Sequence, residues 1–163
     1  EMNRNYTVEE FEEIIKTFRK EIPSISIETD IIVGYPTENE DDFEKTVDAI
    51  KRIKFDVINL SKFFPRPGTP AEKLKQLDSA TIKERSKIVF ELARKISMEK
   101  NKKYVGKEMK VFVDEIGKNK SFIGRTINYK PVVIKSEENL FGKIVNVEII
   151  EAKSNFLIGK IKS

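Results

Sequence analysis

The stretch FFPRPGTPA, Phe63 to Ala71, places three prolines and a glycine within six positions, Pro65 to Pro70, directly after the apolar run Val57 to Leu60. Proline fixes φ and removes a backbone donor, so the stretch reads as a rigid loop closing a buried strand from Asp56 to Phe63. A loop this stiff is either a well-set turn or a device that positions something, and Arg66 is the charged side chain within it. Upstream, Thr37 and Glu40 are spaced as a capping box, and Phe43, Val47, Ile50 and Ile53 draw the inward stripe of a helix ending near Lys54. Before that helix, Ile25 to Val33 is rich in β-branched residues and stops at Gly34-Tyr35-Pro36, as a strand does. Thr7 with Glu10 forms another capping box, and Phe11, Ile14, Ile15 and Phe18 recur at i, i+3, i+4 and i+7, a helix over about 8–20 that Pro23 ends.

Helix, strand, helix, strand at this spacing implies right-handed crossovers and parallel strands. Two parallel strands do not make a stable sheet alone, because such sheets need both faces covered and further neighbours. Residues 1 to about 63 therefore read as the last helix–strand units of a larger parallel assembly, a partial (β/α) barrel of the TIM type or an open sheet. A helix from about Thr81 to Lys102 follows, with Ile82, Val89, Leu92, Ala93 and Ile96 on one face.

The period then changes. Met109-Val111-Val113, Phe122-Gly124, Val132 to Ile134, Ile144 to Ile149 and Phe156 to Ile161 are short, mostly alternating runs. They are punctuated by Gly117-Lys118-Asn119, Asn128-Tyr129, Glu137 to Asn139 and Lys153 to Asn155. Five short antiparallel strands suit a small all-β barrel of the OB type, which presents basic and aromatic side chains to single-stranded nucleic acid. Arg125, Tyr129, Lys130 and Lys143 are placed on that face, with Phe122 either a stacking platform or core. The expected class is thus α/β, with domains over 1–102 and 103–163.

Composition narrows the chemistry. The 163 residues contain no Cys and no His, which removes disulfides, thiolate and imidazole metal ligands and the commonest general base. No catalytic and no metal-ligating residue is assigned. No apolar run approaches the roughly 20 residues of a membrane span, so no membrane partner is expected and a cytoplasmic location is. The net charge of +4 is uneven: residues 103–163 hold twelve Lys plus Arg against seven Asp plus Glu, or +5, leaving −1 for residues 1–102. A small basic domain is the usual footprint of a polyanion partner, although lysine also serves simply to solvate a surface.

The segments TDIIVGYPTENEDDFEKT (Thr29–Thr46), FDVINLSKFFPRPGTPAEKLKQL (Phe55–Leu77) and KERS (Lys83–Ser86) resemble the second half of the radical SAM domain of the methylthiotransferases. VGKEMKVFVDE and the following GRTINYKPVVI resemble that family's C-terminal TRAM domain. Within the family, the FFPRPGTPA wording is most similar to the archaeal and eukaryotic members that modify threonylcarbamoyladenosine beside the tRNA anticodon. The resemblance implies S-adenosyl-L-methionine and two 4Fe-4S clusters, with the cluster cysteines in an N-terminal part lying outside this sequence. It implies a reaction that replaces the C2 hydrogen of the modified adenine with a methylthio group, and a chain that is inactive by itself. Ile32 and Gly34 fall on the family's strand that flanks the SAM adenine, and Asn59, a polar residue in the next strand, is expected to approach the nucleoside because such residues near the C-terminal ends of barrel strands commonly line sites. The superfamily pattern GxIxGxxE is only partly kept, with Asp30 at the first glycine, Thr37 at the acid and Glu38 one residue late. Arg66 is implied as a substrate or phosphate contact, or else packs on Phe63 or Phe64. Arg125 and Lys130 are implied on phosphates of the tRNA anticodon stem-loop, and Tyr129 on a base or ribose, or else as a barrel corner. Two competing readings are a free-standing RNA-binding module and a related methylthiotransferase acting on isopentenyladenosine or a ribosomal protein.

Overall fold

A computed structural model describes residues 5–162, which fall into two compact units dividing between Ala93 and Arg94. In the first unit, α1 (Val8–Glu21) starts at the expected capping box: Glu10 N donates to Thr7 Oγ1 (3.2 Å) and Thr7 N to Glu10 Oε2 (2.8 Å). Strand β1 (Glu28–Val33) is shorter than the sequence implies, because Ile25 N turns back onto Ile22 O at 2.9 Å.

Helix α2 (Glu40–Ile53) is capped not by Thr37 and Glu40 but by Asn39 and Asp42, whose side chains accept each other's backbone N–H at 2.9 and 3.2 Å. The displacement has a visible cause. A turn closed by Glu38 N on Tyr35 O (2.8 Å) occupies the earlier positions, and the Glu40 carboxylate is drawn instead to Arg85 at 3.1 Å. Lys54 ends the helix in the left-handed region at φ +53. Strand β2 (Val57–Lys62) pairs parallel with β1, from Glu28 opposite Val57 to Val33 opposite Lys62. Ile15, Val33, Phe43, Ile50, Ile53, Phe55 and Val89 form the buried core of this unit. After the Pro-rich loop and a short 3₁₀ turn (Pro70–Lys73) comes α3 (Ser79–Lys102).

Asp78 begins α3: its carboxylate accepts from Thr81 Oγ1 (2.6 Å) and Thr81 N (2.9 Å), and those bonds hold its pKa below the ordinary carboxylate value. A depressed folded pKa contributes stability above the unfolded value, near 3.9, that is lost as pH falls through the folded value. The Asp78→Asn variant is therefore expected to melt below the parent protein at neutral pH. The gap should close as pH falls below about 4, a trend thermal melts across that range would show; a gap independent of pH would contradict the assignment.

The second unit is a closed barrel of β3 (Glu108–Ile116), β4 (Ser121–Thr126), β5 (Pro131–Lys135), β6 (Ile144–Ala152) and β7 (Leu157–Ile161). Around the barrel the order is β3-β4-β5-β7-β6. Four contacts are antiparallel, but β5 and β7 run parallel, which corrects the expectation of a wholly antiparallel set. The β6–β7 hairpin, closed by Lys153 N on Phe156 O at 2.8 Å, returns the chain along the free edge of β5 in the same direction. Bulges at Val113/Glu115 and Ile149/Glu151 supply the curvature that closure demands. Val111, Val113, Val132, Ile134, Leu140, Val147, Ile149 and Leu157 fill the interior, and Phe122 joins them as core rather than as a stacking platform. Asn101, in the last turn of α3, donates to Lys153 O (2.8 Å) and Ser154 O (3.2 Å) and ties that turn to the hairpin. Among the described residues no helix is long and apolar enough to cross a membrane.

Candidate functional site

Pleating sends alternate residues of β1 and β2 to opposite faces. Thr29, Ile31 and Val33 point with Ile58 and Leu60 to the more protected side, while Glu28, Asp30, Ile32, Val57, Asn59 and Ser61 line an exposed face. Ile32 and Asn59, two of the residues expected near SAM, thus share one face. Asn59 Nδ2 donates to Glu28 Oε1 and Asp30 Oδ1, both at 3.0 Å, which fixes the amide and turns its carbonyl oxygen away from those acids. The face offers an apolar wall beside hydrogen-bonding groups, the composition that binds a nucleoside.

Gly34 differs. It is buried with φ +86, and an added Cβ would lie 2.7 Å from Ile82 Cγ1. On the side where a Cβ would stand, the backbone approach that requires glycine is made by Ile82 of α3. The Gly34 N–H donates to Glu38 Oε2 (3.0 Å), and the other oxygen of Glu38 accepts from Arg85 Nη1 (2.7 Å). Arg85 also donates to Glu38 O (2.9 Å), reaches Glu40 and lies 5.1 Å from the Phe43 ring centroid. Glu38 is consequently a structural anchor. Arg85 was visible in the sequence only as part of KERS; a lone arginine on the polar side of a helix gives no local sign that it will be buried.

The Pro-rich loop is organised as the sequence implies. Thr69 N and Oγ1 donate to Arg66 O at 3.2 and 2.7 Å, Gly68 takes φ +79, and its N–H donates to Glu72 Oε2 at 2.7 Å. Arg66 is exposed, as is neighbouring Phe64, while Phe63 packs edge-on against Tyr35.

On the barrel, Arg125 and Tyr129 come together, with the guanidinium carbon 5.4 Å from the ring centroid. Arg125 Nε lies 3.5 Å from Asp114 Oδ2, an ion pair without a hydrogen bond. Tyr129 is 73% exposed although its backbone is left-handed at φ +63, a conformation costly for an aromatic residue unless its surroundings enforce it. They do. Tyr129 N donates to Thr126 O (2.9 Å), Lys130 N and Asn128 Oδ1 engage the Thr126 hydroxyl (2.9 and 2.6 Å), and Asn128 Nδ2 donates to the Tyr104 hydroxyl (2.7 Å). The same turn leaves Ile127 99% exposed. A corner role and a binding role for Tyr129 are thus compatible.

Lys130 is only 4% exposed, drawn in where the turn folds back on buried Thr126. Lys143 is exposed, and its carbonyl accepts from Val113 N (2.9 Å) just ahead of β6. Two outward apolar residues escaped the sequence reading: Phe112 and Ile144, register partners of one another, with Phe112 also opposite Arg125. The signal for Phe112 was its phase, an aromatic alternating with the inward Val111 and Val113.

A closed barrel of five strands in the order β3-β4-β5-β7-β6 is of the OB-like kind. Residues 102–162 match the TRAM domain. Over 117 residues, 72% of its length, the chain is 51% identical to the probable threonylcarbamoyladenosine tRNA methylthiotransferase of Pyrococcus horikoshii. It is 45% identical over 117 residues to the protein of that name from Methanocaldococcus jannaschii, and 42% over 115 to the tRNA-2-methylthio-N(6)-dimethylallyladenosine synthase of Aquifex aeolicus. Over the matched stretch the chain is similar to a segment of the methylthiotransferases. It spans about 28% of the Pyrococcus and 26% of the Aquifex relative.

Proposed function

We propose that this chain is the C-terminal portion of a tRNA methylthiotransferase that places a methylthio group on C2 of threonylcarbamoyladenosine, acting in the cytoplasm on the anticodon stem-loop. The observation that carries the reading is the 51% identity over 117 residues: the matched stretch is much longer than the TRAM match at 102–162, so the likeness runs well into the helical unit. Residues 1–102 are the last units of the radical SAM (β/α) barrel with a connecting helix, and 103–163 are the domain that holds tRNA. The bare, one-sided β1–β2 sheet supports the first assignment, since parallel strands of this kind sit inside larger sheets.

The donor set does not fit an iron–sulfur cluster: the chain has no thiolate, and no group of three or more His, Cys, Asp or Glu among the described residues is arranged to hold a metal. Cluster ligands are supplied from outside this sequence. S-adenosyl-L-methionine does fit the exposed β1–β2 face, where Ile32 offers an apolar wall and Asn59 an amide fixed by two acids. Arg66 meets substrate in this reading, which its exposure on the loop after β2 supports. On the barrel, Arg125 and Lys143 contact phosphate and Tyr129 a base.

Binding of the full chain to an anticodon stem-loop should weaken as salt rises, and Arg125→Ala should lower the log–log slope by about 0.7–0.9. An unchanged slope would remove Arg125 from the interface; no binding at low salt would overturn the tRNA-holding role. Exchanging the corresponding segment of the Pyrococcus relative for this chain and assaying tRNA nucleosides by mass spectrometry tests the modification itself. The expected product is the 2-methylthio form of threonylcarbamoyladenosine.

A further inference from the structure

The outer face of β3, β4 and β6 carries two apolar side chains, Phe112 and Ile144, that no role above uses. Phe112 stands in the middle of a row on that face, half-exposed, with Ile144 opposite on β6 and Arg125 opposite on β4. Opposed residues of paired strands have Cβ atoms about 4.5–5.5 Å apart, so these side chains are immediate neighbours. Arg125 therefore has an exposed aromatic on each side, Phe112 across the strand pair and Tyr129 at 5.4 Å. Cations stand nearest the rings: Lys110 precedes Phe112 by two residues on the same outward phase and Lys143 precedes Ile144, while Asp114 pairs with Arg125 and the acids Glu108 and Glu148 lie further along β3 and β6. An apolar protein partner would leave Arg125, Lys110 and Lys143 facing an interface without anions, whereas a nucleic-acid strand brings a flat base for each ring and a phosphate for the cations.

We propose that Phe112, flanked by Ile144, is a second nucleobase-stacking platform, and that the row binds two successive unpaired bases of an RNA strand, one on Phe112 and one on Tyr129, with Arg125 between them. The inference rests on the tRNA-holding role proposed above and adds its specificity: the barrel selects unstacked, single-stranded nucleotides rather than duplex backbone.

The test uses the full chain, a fluorescein-labelled single-stranded oligoadenylate, and an abasic ribose–phosphate strand of equal length and charge. The protein should prefer the base-bearing strand. Phe112→Ala should weaken binding to it by about 5- to 150-fold, leave the salt slope unchanged and leave the abasic strand unaffected. Phe112→Tyr, which keeps the ring, should retain affinity, and Phe112→Leu, which keeps only the apolar bulk, should not. Equal affinity of the unsubstituted protein for the two strands, or full affinity in Phe112→Ala, would overturn the platform while leaving electrostatic tRNA holding intact. Failure to bind either strand or the anticodon stem-loop would overturn both.

Discussion

Replacing Arg85 with alanine is expected to destabilise the N-terminal unit by about 3–5 kcal/mol, the range for removing one partner of a buried ion pair. The side chains of Arg85 and Glu38 are 7% and 12% exposed, so water cannot take over the contacts that are lost. Burial works against the charge of Arg85, but hydrogen bonds to Glu40 and Glu38 outweigh it and raise the guanidinium pKa above its ordinary value. The guanidinium thus stays charged wherever the protein is folded, and the loss in the variant will not be rescued by pH on its side of the pair. Removing it leaves the Glu38 carboxylate with the Gly34 N–H but no cation, and leaves Glu38 O without its donor. Glu38→Gln should cost less, because the amide oxygen can still accept from Gly34 or Arg85. The two substitutions combined should fall short of the sum of their separate effects, giving a coupling of about 0.5–3 kcal/mol. For a unit of this size, the Arg85→Ala loss corresponds to a fall of roughly 12–40 °C in melting temperature. An unchanged midpoint by near-UV or amide-exchange detection of the unit would show that the pair is dispensable.

That network also marks where the sequence stopped being legible. Helix α1 was readable from Thr7, Glu10 and the apolar stripe because every deciding contact lies within four residues. The start of α2 was not. Thr37 with Glu40 and Asn39 with Asp42 are both valid boxes, and the choice is made in part by Arg85, which claims Glu40 from 45 residues away. Gly34 could be recognised as a position needing glycine, but whether a ligand or a helix approaches it depends on where Ile82 packs. On the barrel, the period-2 pattern marked the strands and the inward Val111, Val113 and Ile134. It could not show that β7 would close beside β5 in parallel, because that follows from barrel closure and not from local propensity. That Arg125 and Tyr129 would lie together was legible from their nearness in sequence, four residues apart across a turn. Lys130, identical in kind to any surface lysine, was turned inward by the geometry of a turn anchored at Thr126.

Gly124→Ala is expected to be among the most damaging single-methyl additions in the barrel. An added Cβ would lie 2.5 Å from both Phe112 O and Val111 Cγ1. The first of these is a backbone atom of the paired strand and cannot swing aside, so β3 and β4 must separate at their centre. Overpacking of this kind costs typically 1–3 kcal/mol and occasionally more, and a rigid opponent places the effect at about 3 kcal/mol or above. Gly159→Ala is the informative comparison: its added Cβ would meet side-chain atoms of Val132 and Val147 at 2.9 and 3.2 Å, which can yield by a few tenths of an ångström, so its cost should be the smaller. Urea unfolding followed by hydrogen exchange at the β3–β4 amides would rank the two, and the reverse ranking would mean that the strand pair is more compliant than its geometry implies. The functional consequence should exceed the loss of stability. Gly124 precedes Arg125, and its backbone abuts Phe112, so a methyl group here spreads the two side chains whose spacing sets the proposed stacking row. In the fraction of Gly124→Ala protein that remains folded, affinity should fall more for the base-bearing strand than for the abasic one, because stacking depends on the spacing of the rings while attraction between charges tolerates a small displacement.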